Sequence, residues 1–238
     1  MINNELELVR NISEYYSKSL NVSREFGGPS IYFHIQAIKE QKLNFLSERH
    51  IEMIYATLAS WGMHRMGDPD EVKAKMVDFN EFKDSIMSQN AMLVNFRDLK
   101  MNECEDKEYS KYIDGLKSIY SPLKVSISES TLVAHSKTLA HILPDLIPPI
   151  DRQYTVRFFI QDNKNFYSKS RKYRAVNLPD DHFSAFKDYC IRIKQMFDRC
   201  ERELFQLDFN TFNTSYPKIM DNIIMAFVKN VPRPLEKN

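Results

Sequence analysis

Glycine is scarce in this chain, with five residues in 238 against a usual share of about 7%. That argues against Gly-rich phosphate loops, the turn networks of all-β folds and flexible linkers. Cysteine is scarcer still. Cys104, Cys190 and Cys200 are an odd set with no C-x-x-C pair and no histidine at zinc-finger spacing, so neither a disulfide framework nor a structural metal is favoured. No window approaches 18 uninterrupted apolar residues, and the opening Met-Ile-Asn-Asn-Glu-Leu-Glu is polar and acidic. Neither a membrane span nor a signal peptide is expected, and the reading is a cytoplasmic protein. An excess of one charge is also missing: 33 Lys and Arg stand against 32 Asp and Glu, a net charge of +1. This excludes a surface that is basic all over, though not a local basic face.

What is present is helical periodicity. At this length roughly 70–75% of the unfolded surface can be buried, so the core needs no staples. Leu6, Val9, Ile12 and Tyr16 step along one face of a first helix, and Ile31, Ile35 and Ile38 continue in a second after Gly27-Gly28-Pro29-Ser30. Ser47 is placed to cap a helix from Glu48 to Trp61. Asp68-Pro69-Asp70-Glu71 reads as the start of another, carrying Val72, Met76 and Phe79. Glu103 to Tyr120 is amphipathic, Ser121 to Ile127 is extended or irregular, and Ser130 precedes a helix from Thr131 to Leu143. Pro144 and Pro148-Pro149 stop that helix, and a new one begins near Asp151. Pro179-Asp180-Asp181 opens a long helix through Phe205, and Tyr216-Pro217 opens the last, ending near Pro232. The sum is an all-α, bundle-like array of roughly eight to ten helices in one domain, with a second lobe from near residue 121 as the alternative division.

The segment from Leu132 to Phe159 carries the functional information. Lys137 lies in one helix, a rigid Pro-rich turn follows, and Asp151 sits at the mouth of the next helix, where backbone N–H groups keep a carboxylate ionised. The run Val133-Ala134-His135-Ser136-Lys137-Thr138-Leu139-Ala140, then Pro148-Pro149-Ile150-Asp151, then Val156-Arg157-Phe158 resembles the helix-hairpin-helix DNA glycosylase superfamily. In that family glycines stand near the positions of Ala134 and Ser136. The resemblance implies that Asp151 is the essential acid that stabilises an oxocarbenium-like sugar, and that Lys137 matches the lysine some members use to form a Schiff base. It also implies DNA phosphate contacts from the backbone of Ala134, His135 and Ser136. A plainer reading of the same residues makes Asp151 a helix cap and Lys137 a solvated surface residue.

Seven cations follow directly. Arg152, Arg157, Lys164, Lys169, Arg171, Lys172 and Arg174 face only Asp162 between residues 152 and 176, and Tyr154, Phe158, Phe159, Phe166, Tyr167 and Tyr173 interleave with them. Cations neutralise phosphates and exposed rings stack on unpaired bases, so Arg152, Arg157, Lys169, Arg171, Lys172 and Arg174 are candidates for nucleic-acid binding. The alternative is that the rings are core and the cations a solvated loop. His34, His50, His64, His135, His141 and His182 show no HExxH pattern, so no metal site is expected, and nothing calls for a cofactor. Trp61 reads as core, and Gly27 to Ser30 as a turn and cap. The leading expectation is a DNA-associated helical protein with Asp151 at a cleft. The rival is a non-enzymatic interaction module whose basic loop, residues 169–174, binds an acidic partner.

Overall fold

The computed structural model describes residues 4–25, 28–63, 75–127, 131–160, 176–206 and 212–230. Asn11 interrupts the first expected helix, splitting it into α1 (Asn4–Arg10) and α2 (Ile12–Glu25). Its side chain turns back to donate to the Glu7 carbonyl at 3.0 Å. A left-handed Gly28, at φ 67°, delivers Pro29 to the first position of α3 (Pro29–Leu43), a conformation glycine adopts without steric cost. Ser47 caps α4 (Glu48–Ser60) as its side chain accepts from the His50 N–H at 3.1 Å.

The start expected at Asp68 to Glu71 lies outside the described residues. Met76, assigned from sequence to that helix, instead sits on extended backbone bridged to Ser126. The Val77 N–H donates to the Val125 carbonyl and the Ile127 N–H to the Lys75 carbonyl. The helix begins only at Phe79, because the Asp78 side chain accepts from the N–H groups of Asn80 and Glu81 and so caps α5 (Phe79–Met87). After α6 (Asn90–Val94), the predicted helix from Glu103 to Tyr120 divides into α7 (Asp106–Gly115) and α8 (Lys117–Tyr120).

Then come α9 (Thr131–Ile142), a wide helical turn over Arg152–Val156, and α10 (Arg157–Ile160). Asp181 caps α11 (His182–Arg199) through the Ser184 N–H at 2.9 Å, and α12 (Glu201–Leu204) and α13 (Tyr216–Asn230) complete the chain. The fold is all-α: among the described residues the only extended pairing is that single bridge, and no helix is long and apolar enough to cross a membrane.

Two helices set the centre. α3 packs on α4, α13 on α2 and the wide turn, and α11 on α7 and α9, while α9 also meets α3 and α4. Every residue of α9 from Leu132 to Ile142 is buried, as is every residue of α13 from Pro217 to Val228. Helices enclosed on all sides carry no solvent face, so the polar residues in them need internal partners.

Candidate functional site

Ser136 sits in mid-helix on α9, with its hydroxyl 3.1 Å from the Val133 carbonyl. The same oxygen accepts from the Ile150 N–H at 3.2 Å, so the chain returning from the Pro148-Pro149 turn is clipped to the helix at that level. The next residue on each strand then meets its counterpart: the Lys137 ammonium donates to Asp151 Oδ2 at 2.8 Å. The other carboxylate oxygen, Oδ1, accepts from the Gln153 N–H at 2.7 Å and so caps the wide turn. Asp151 is therefore both a cap and the partner of Lys137.

This pair opens onto a cavity of about 320 Å³ lined by Ser30, His34, Trp61, Tyr154, Phe212 and Met225, among others. That volume is at the lower end of small-molecule sites, roughly 300–1,000 Å³. A second pair lines the same cavity. The Lys218 ammonium donates to Asp221 Oδ2 at 2.6 Å, within α13. Both lysines approach the Trp61 ring, at 5.4 Å and 5.5 Å from its centroid, and Lys218 lies 4.9 Å from the ring of Phe212. With two lysines and two aspartates in its wall, the cavity is strongly polar. That suits a ligand rich in hydrogen-bonding groups.

The two carboxyl groups are driven apart. Burial would raise Asp151, but the charge and hydrogen bond of Lys137 and the N–H groups of Gln153 and Tyr154 outweigh it and hold the group below its usual range. Asp221 moves the other way: burial raises it, the negative charge of Asp151 adds to the effect, and Lys218 only partly opposes them.

The remaining sequence candidates fare differently. Ala134, His135 and Ser136 are buried in α9, and no phosphate can reach backbone that lies inside the core, so the expected contacts there are not available. Arg157 is likewise buried rather than presented to a strand. Arg152 is partly buried, and its Nε donates to the Val176 carbonyl. Lys169, Arg171, Lys172 and Arg174 lie outside the described residues. Trp61, read as core, is instead a half-buried part of the cavity wall, within reach of both lysines. Lys137, whose plainer reading was a solvated residue, is buried.

Sequence reasoning missed Lys218, Asp221, His34 and Phe212. A signal for the first two was present: they are the only charges, three apart, in the run Tyr216 to Val228, which helical spacing places together. Among the described residues no group of three or more His, Cys, Asp or Glu could hold a metal ion. No family model matches the chain, and no curated protein or solved structure gives a match to it.

Proposed function

We propose that the chain hydrolyses an N-glycosidic bond in nucleic acid, releasing a base held in the cavity between Asp151 and Asp221. The observation that carries this reading is the meeting of Lys137 and Asp151 at the wall of an aromatic-lined cavity. Asp151, kept ionised, stabilises positive charge on the sugar as the bond to the base breaks, and it takes the proton of the water that attacks the anomeric carbon. The electron pair of the broken bond goes to the base nitrogen. Asp221, on the cavity wall with a carboxyl raised above its ordinary range by burial, is assigned the role of delivering the proton that nitrogen needs.

Lys137 holds Asp151 in place. As a paired ammonium it has no lone pair with which to attack a sugar, which favours hydrolysis over a Schiff-base route. The rival reading, an interaction module, draws on Lys169, Arg171, Lys172 and Arg174, and no feature of the cavity favours it.

The test is base release from single- and double-stranded substrates, together with salt-dependent mobility shifts. Asp151→Asn should keep the cap, lower the melting temperature because the buried Lys137 loses its counter-charge, and lower the release rate of the folded variant by about 10²–10⁴. The rate should fall on the acid side as Asp151 is protonated and on the alkaline side as Asp221 loses its proton. Asp221→Asn should lower the rate across the range and remove the alkaline limb with it. Absence of both salt-sensitive binding and base release in the unmodified protein overturns the proposal.

A further inference from the structure

His34, His141 and His50 form a buried chain whose hydrogens can be assigned one by one. His141 Nδ1 lies 2.7 Å from the Lys137 carbonyl, an oxygen that can only accept, so Nδ1 carries the hydrogen. Burial keeps that ring neutral, its pKa pushed down to about 4. Its other nitrogen, Nε2, is therefore bare and accepts. It lies 3.0 Å from His34 Nδ1, so the hydrogen in that contact belongs to His34. The His34 ring is also neutral, since burial drives its pKa well below 6.5 and the nearby charge of Lys218 pushes it the same way.

One hydrogen on Nδ1 leaves His34 Nε2 with a lone pair and no proton. His50 reinforces the arrangement from the other side, accepting the Leu46 N–H at Nδ1 and turning Nε2 to the His141 carbonyl at 3.3 Å. His34 Nε2 is buried and has no hydrogen-bond partner among the described residues, and the residue lines the cavity beside Trp61, Lys218 and Asp221. Leaving a buried acceptor unpaired is costly, so such a group is a strong reader of a donor that arrives with a ligand.

We infer that His34 is a specificity-determining residue: a neutral imidazole whose Nε2 accepts a hydrogen bond from an N–H group on the edge of the bound base. This rests on the reading of the cavity as a nucleobase site. The base it takes is one with a donor at that edge, and an analogue without a donor is rejected because it leaves Nε2 unpaired.

Nitrogen-15 spectra of the histidine-labelled protein at neutral pH test the first half. The Nδ1–H tautomer is expected for His34, and an Nε2–H tautomer or a charged ring overturns the inference. The second half is tested by titration with adenosine, cytidine, guanosine and thymidine, and with purine riboside, whose base has no donor. At least one of the four should move the His34 Nε2 resonance and bind about tenfold or more tighter than purine riboside.

His34→Asn keeps a donor towards His141 and removes Nε2, so this preference should shrink to about twofold or less. If that variant does not fold, the tautomer and the titration of the unmodified protein still decide the matter. A preference that survives the substitution overturns the inference. So does a fixed water bridging His34 Nε2 and Thr214 Oγ1, which share a side chamber of about 10 Å³, if it stays in place when the base is bound. Failure of every nucleoside to bind overturns the proposed function together with the ligand class. Failure of the inference alone looks different: nucleosides bind and the His34 resonances do not move.

Discussion

The two lysine–aspartate pairs that line the cavity reach similar lengths by different routes. Lys137 and Asp151 come from different elements and meet only because the Ser136 clip fixes the level at which the chain returns. Lys218 and Asp221 are neighbours on one helix turn and would be near each other wherever α13 lay. Their surroundings differ as well. The Asp151 side chain is 25% exposed and also accepts a backbone N–H, whereas that of Asp221 is 5% exposed and leans on Lys218. A carboxylate with several donors stays charged when one is lost, while a carboxylate with one main donor changes state. The difference leaves Asp151 below its usual range and Asp221 above it.

That contrast can be broken from either side. Lys218→Met strands Asp221 and should cost about 3–5 kcal/mol at neutral pH by urea unfolding. The deficit should shrink on acidification. The Asp221 carboxyl in this variant is raised further above its unfolded value, so the native state binds the extra proton and stability falls as pH rises through that raised pKa. An equal deficit at pH 5 and pH 7 (about two units apart) would contradict this assignment.

Lys137→Met should cost less, about 1–3 kcal/mol, because the Gln153 N–H and partial exposure still serve the Asp151 charge. A larger loss there than at Lys218 would reverse the comparison. The smallest effect is expected from removing the second pair altogether. Lys218→Met with Asp221→Leu should stay within about 1 kcal/mol of the parent, yet base release should collapse, which would show that the pair is kept for chemistry and not for stability.

The helices were legible because apolar periodicity and capping residues act locally. Ser47 caps where it was expected to, the long helix starts right after Pro179-Asp180-Asp181, and the Pro-rich turn ends α9. The breaks at Asn11 and Leu116 were not legible, since both lie inside unbroken amphipathic patterns and are set by packing. Around the site, Lys137 and Asp151 stood out by residue type and by the turn between them. His34 did not, because its meaning depends on His141, more than a hundred residues away. Trp61 was misread for a related reason: a tryptophan on an apolar face looks like core until the two lysines beside it come from elsewhere in the chain.

The wide turn at Arg152–Val156 has a consequence for how this chain can change over time. It closes by the Val156 N–H reaching back to the Asp151 carbonyl, one residue further than an ordinary α turn, so it holds one residue more than a regular helix start would. That residue works as a phase shifter. Removing it would rotate everything downstream by about 100°, carrying Phe158 and Phe159 away from the interior while leaving Asp151 where it is. The spacing between the carboxylate and the aromatic anchors behind it is thus held by an indel constraint. Homologous chains should vary in which residues fill this turn long before they vary in how many.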